Sequence, residues 1–100
     1  MQILAISKLK NGVTLDKIGP HGADEVKHTL AAYLDGKIRN FWFQVNRPGF
    51  VFILESTDED EARHVMEELP LVVAGLMDFD LIPLQPLQPL GTLIGRTFSP

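Results

Sequence analysis

The sequence contains no cysteine, one tryptophan and one tyrosine. Without thiols, a disulfide scaffold, a thiolate metal site and a cysteine nucleophile are all excluded. Cations are scarce, with 9 Lys and Arg against 13 Asp and Glu, for a net charge of −4. Nucleic-acid binding needs clustered Lys and Arg, and here they are scattered, so no nucleic-acid partner is expected. No apolar run approaches the roughly 20 residues that cross a bilayer, which argues against a membrane partner. The opening stretch, Met1 to Lys10, alternates and is too short for a signal peptide. It points to an intracellular, cytoplasmic protein. There is no phosphate loop, no paired-His zinc motif on a helix and no nucleophile elbow, so no metal site is expected.

What is present is 100 residues with 45% hydrophobic content. That length specifies one domain with one modest core. Gln2 to Leu9 carries apolar residues on both parities, as a strand buried on both faces does. Residues 14–22 are irregular, broken by Gly19, Pro20 and Gly22. A helix follows from Ala23, with Val26, Leu30, Tyr33 and Leu34 as its apolar stripe and Gly36 as its stop. Ile38 to Val45 and Phe50 to Glu55 read as a hairpin around Asn46-Arg47-Pro48-Gly49. Ser56 and Glu59 have capping-box spacing for a second helix, with Ala62, Val65, Met66 and Leu69 inward and Pro70 at its end. Leu76 to Leu84 closes the set as a fourth strand.

The order β-α-β-β-α-β specifies an α+β fold of the ferredoxin-like plan, with both helices on one face of a four-stranded antiparallel sheet. It occupies residues 1–84. Residues 85–100 begin in a Pro-Leu-Gln repeat, whose period of three suits polyproline II, and form an extended C-terminal arm expected to pack on a partner subunit.

Alternation divides the hairpin into two faces. Phe41, Phe43, Val45, Phe50, Phe52 and Leu54 form an apolar face expected to lie under the helices. Asn40, Trp42, Gln44, Val51, Ile53 and Glu55 form the other. No helix of this chain can cover that second face, so a second copy is expected there, sheet against sheet.

One polar cluster could carry chemistry. His21, Glu25 and His28 are spaced at four and three residues, with Asp24 beside them. Side chains so spaced are neighbours on a helix, and they combine a general base with groups that titrate near neutrality. Projection at 100° per residue sends Glu25 and His28 away from the Val26–Leu30 stripe, toward solvent.

Two stretches resemble the muconolactone isomerase family. One is Ala23-Asp24-Glu25, its helix, Gly36 and then Arg39-Asn40-Phe41-Trp42. The other runs from Glu55 through Glu68-Leu69-Pro70-Leu71 to Ile82-Pro83-Leu84. Pro70 to Gly75 is also similar to the matching segment of YCII-related proteins. The resemblance implies a dimeric α+β barrel, a homodimer or larger homo-oligomer, and cofactor-free chemistry on a small-molecule substrate such as a lactone, phenol or polyketide-like ring, as in secondary metabolism. It places the catalytic carboxylate at Glu25, eleven residues before Gly36. The sequence departs from these families at Leu69, where YCII-related proteins have Asp, and at Asn40, where the isomerases have His.

The reading that results is an isomerase or cyclase-like enzyme moving a proton next to a carbonyl. Glu25 is the expected base and His21 or His28 the relay. Asp24, Tyr33, Asn40, Trp42 and Gln44 are the expected substrate contacts. A cofactor-independent monooxygenase of aromatic polyketides is the alternative within the superfamily. A non-catalytic binding or dimerisation module is the alternative outside it.

Overall fold

A computed structural model describes residues 1–98. The sheet is built from β1 (Gln2–Leu9), β2 (Ile38–Phe43), β3 (Phe50–Glu55) and β4 (Met77–Pro83), in the antiparallel order β2-β3-β1-β4. The helices are α1 (Leu15–Ile18), α2 (Gly22–Leu34), α3 (Glu59–Glu67) and α4 (Pro70–Val73), with a 3-10 turn at Gly19–His21 leading into α2. This is the ferredoxin-like plan expected from the sequence. A second 3-10 element, Gln88–Ile94, follows β4 in the C-terminal arm.

Register sorts the two faces. Ile3 sits opposite Leu54 and Ala5 opposite Phe52 on one side, with Ala5 opposite Leu81 on the other. A register shift between Ile38 and Asn40 puts Ile38 on the same face as Phe41, which pairs with Phe52. Ile3, Ile38, Leu54, Ala62, Met66 and Leu69 are the core, all at 2% exposure or less.

Local chemistry explains the ends of the elements. Gly36 adopts φ +78°, which ends α2 in the left-handed conformation that glycine tolerates best. Gly49 is demanded by close approach, since a Cβ there would run into the Ser7 carbonyl oxygen. The N-cap of α3 is Asp58 rather than the expected Ser56. Its carboxylate accepts from Glu61 N at 2.8 Å, and Glu61 accepts in return from Thr57 N at 3.1 Å. The capping pair is displaced by two residues because Ser56 is buried and donates to the Asp58 carbonyl at 2.7 Å. Pro70 starts α4 instead of simply ending α3, since proline suits a first helical turn.

Three packing expectations are corrected. The stripe of α2 does not enter the core: Val26 is 57% exposed and Leu34 81%. Phe43 and Val45 are likewise exposed, because β2 is an edge strand, stops at Phe43, and α2 stands off from it. The arm is not a continuous polyproline helix. Pro89 enters the 3-10 turn at its start, where a missing N–H costs nothing, and Gly95 ends it at φ +80°. Ser99 and Pro100 of that arm lie outside the described residues. The arm carries the molecule to a radius of gyration of 16.1 Å. A compact chain of this length has ~13 Å.

Candidate active site

The space left where α2 stands off from the sheet is a cavity of about 540 Å³. Gly22, Glu25, Val26, Thr29 and Leu30 of α2 form one wall, and Ile18 of α1 closes an end. Phe41, Trp42 and Phe43 of β2, Phe50 and Phe52 of β3, and Leu71 of α4 complete it. The aromatic wall is continuous. Phe43 and Phe50 have centroids 5.4 Å apart, and Phe50 stacks on Phe52 at 5.6 Å with planes 5° apart. A volume of several hundred Å³, apolar walls and few polar groups are the marks of a small-molecule site.

Glu25 is the one ionisable residue in this lining. It is 4% exposed, and neither carboxylate oxygen has a hydrogen-bond partner. The helical projection therefore gave the wrong side. The sheet-facing side of α2 carries Glu25, Thr29 and Ala32, while Val26 and Leu30 flank the cavity mouth. Burial pushes the Glu25 carboxyl above its ordinary value of 4.5. The Leu71 backbone N–H offsets part of this from outside good hydrogen-bond geometry, and the His28 and His21 rings oppose it more weakly. A buried polar group without a partner is unusual in a folded chain, and it is satisfied when a ligand or water supplies one. The group can thus exchange a proton with a bound molecule at a higher pH than an ordinary carboxylate would.

The other candidate residues are distributed around this centre. His21 is half-buried at the N-cap of α2, within electrostatic reach of Glu25. His28 is exposed, with Nδ1 3.0 Å from the Asp24 carbonyl oxygen, and lines a separate 110 Å³ cleft with Lys37 and Glu68. Asp24 is exposed and lies outside the cavity lining. Trp42 borders the cavity from the pleat between Phe41 and Phe43, opposite Val51. Asn40 is exposed opposite Ile53 and does not reach the cavity. Gln44 lies outside it too. Its amide donates to the Ser7 carbonyl at 2.6 Å and accepts from Arg47 Nε at 2.8 Å, tying the hairpin end to β1. Tyr33 packs edge-on against Phe41 at 5.7 Å, beyond the lining.

Thr29, Leu71, Ile18 and the phenylalanines were not among the site residues expected from the sequence. Periodicity marks a residue as apolar and inward, and a cavity wall has the same signature as a packed core. Among the described residues no cluster of His, Cys, Asp or Glu could hold a metal ion, and no helix is long and apolar enough to cross a membrane.

No protein-family model matches the chain, and no curated protein matches it in sequence. Solved structures do. A 5-chloro-2-hydroxyhydroquinone dehydrochlorinase from Burkholderia phenoliruptrix AC1100, in complex with 2,5-dihydroxybenzoquinone, superposes with a TM-score of 0.72 at 20% identity. The match covers 85% of this chain and 94% of that one. Muconolactone isomerase superposes with a TM-score of 0.69 at 18% identity, over 87% of this chain and 93% of that one. The chain therefore has the muconolactone isomerase fold, an α+β domain that carries enzymes in both of these structures.

Proposed function

We propose that the protein is a small isomerase or cyclase-like enzyme in which Glu25 takes a proton from a carbon next to a carbonyl and returns it elsewhere on the same molecule. The observation that carries this reading is the Glu25 carboxyl, buried and unpartnered on the wall of an apolar, aromatic cavity. A carboxylate is a weak base in water, and burial brings its pKa closer to that of the working pH. The aromatic wall suits a flat unsaturated ring such as a lactone, a phenol or a polyketide-like system. The neighbour that holds 2,5-dihydroxybenzoquinone supports a ring of that kind, by analogy of fold. His21, half-buried and next in sequence to the lining residue Gly22, and His28, whose ring acts more strongly on Glu25, are the two groups that could pass the proton on.

Glu25→Gln tests the assignment. Turnover on a panel of unsaturated lactones and hydroxyquinones should fall by about 10²–10⁴-fold, the usual contribution of an acid–base group. The fold, followed by circular dichroism, should be retained. Unchanged turnover would remove Glu25 from the chemistry. If no member of the panel is turned over but rings still bind, the cavity is that of a binding module.

The same reading includes a second copy of the chain. On the sheet face away from the helices, Trp42 is 53% and Ile82 45% exposed, beside half-buried Leu4, Ile6, Val51 and Ile53. The arm adds exposed Leu87, Leu90 and Leu93. An apolar surface of this extent is covered in most proteins. Sedimentation should give a multiple of the 11.2 kDa chain mass, and a monomer would contradict the homo-oligomer.

A further inference from the structure

The charge around the cavity is as informative as its shape. Glu25 is the lone ionisable group on the wall, and Thr29 brings the one hydroxyl. Lys17 and Lys27 adjoin the lining residues Ile18 and Val26 in sequence, yet both are exposed and neither lines the cavity. Arg47, at the hairpin end, is bonded to Gln44. No Lys, Arg or His among the described residues therefore lines the cavity wall; His21 and His28 act on Glu25 only from outside the lining.

We propose that the cavity selects neutral, largely apolar rings bearing a hydroxyl or carbonyl, and rejects the same rings bearing a carboxylate. This rests on the cavity being the ligand site proposed above, and it names the substrate class of that site. A carboxylate entering the cavity would lose its water with no cation or donor cluster to replace it. It would also approach the two unpartnered oxygens of Glu25. A neutral polar group does the reverse and supplies the partner Glu25 lacks. A carbonyl accepts from the protonated carboxyl, and a hydroxyl donates to the ionised one. The rest of the molecule meets the rings of Phe43, Phe50 and Phe52.

Calorimetric titration with 2-naphthol and 2-naphthoate at pH 7 separates the two classes, since the rings are identical and only the second probe is charged. The wild-type protein should bind 2-naphthol, with 2-naphthoate weaker by about tenfold or more, because an unpaired charge is costly to bury. Leu30 lines the mouth and is 47% exposed, so Leu30→Lys introduces a cation at the wall without disturbing the core. In that variant, folded by circular dichroism, the preference for 2-naphthol should shrink by about tenfold or reverse, as a buried charge gains its partner. Equal binding of the two probes to the wild type would overturn the selectivity while leaving the cavity as a ligand site. An unchanged ratio in Leu30→Lys would overturn it as well. Failure of both probes to bind would overturn the cavity reading along with it.

Discussion

The helix-covered face of the sheet has two halves that differ in kind. Under α3, Ala62, Met66, Ile3 and Leu54 are fully buried and interlock. Under α2, Leu30 is 47% and Phe41 44% exposed around an open cavity. Both helices carry an apolar stripe. The difference lies in what each turns toward the sheet. From α3 come Ala62 and Met66, a small and a flexible residue that fill space against the strands. From α2 come Thr29, whose hydroxyl donates to the Glu25 carbonyl at 3.0 Å, and Glu25, whose carboxyl has no partner and cannot be packed against phenylalanine without cost. One half therefore makes stability and the other makes a site.

Several experiments bear on this contrast. The largest effect expected in the cavity half is on turnover, through Glu25→Gln, with the core half unaffected. The largest effect on stability belongs to the core half. Leu54→Ala, at a site of 0% exposure, should cost about 2–5 kcal/mol in urea unfolding. Leu30→Ala should cost far less, about 1 kcal/mol or under, because half its surface is already in water and its neighbours leave space beside it. Equal losses at the two positions would mean that α2 is packed as tightly as α3, and the contrast would not hold.

How much of this could be read from residues follows the same division. The element order, the hairpin and its Asn46–Gly49 turn were legible, because alternation and turn chemistry are local signals. The core under α3 was legible too, since Ala62, Met66 and Leu69 repeat at helical spacing and do become buried. The cavity was not. Phe41, Phe43, Val26 and Leu30 have the pattern of a core, and only the stand-off of α2 from edge strand β2 turns them into walls. Glu25 shows the limit most sharply. Helical projection pointed it at solvent, whereas family resemblance pointed to it as the base. The structure buries it, because helix rotation is set by packing rather than by the mean direction of the apolar stripe. Gln44 shows the converse: a polar residue on a strand suggests a ligand contact, and its amide instead holds the Ser7 carbonyl. The displaced cap of α3 has a similar cause, since Ser56 and Asp58 both suit an N-cap and burial of Ser56 decides between them.

The cavity half holds a buried carboxyl that gives up its proton less readily than an ordinary one. Titration of the Glu25 side-chain carboxyl by carbon-13 NMR tests this directly in the ligand-free protein. Burial is the dominant influence and opposes the charged form, so the midpoint should lie above the ordinary value of 4.5. Adding 2-naphthol should perturb the Glu25 signal while leaving that of exposed Glu55, on the far end of the sheet, in place. A midpoint at or below 4.5, with a signal indifferent to the ring, would show a solvated carboxylate with no part in the cavity.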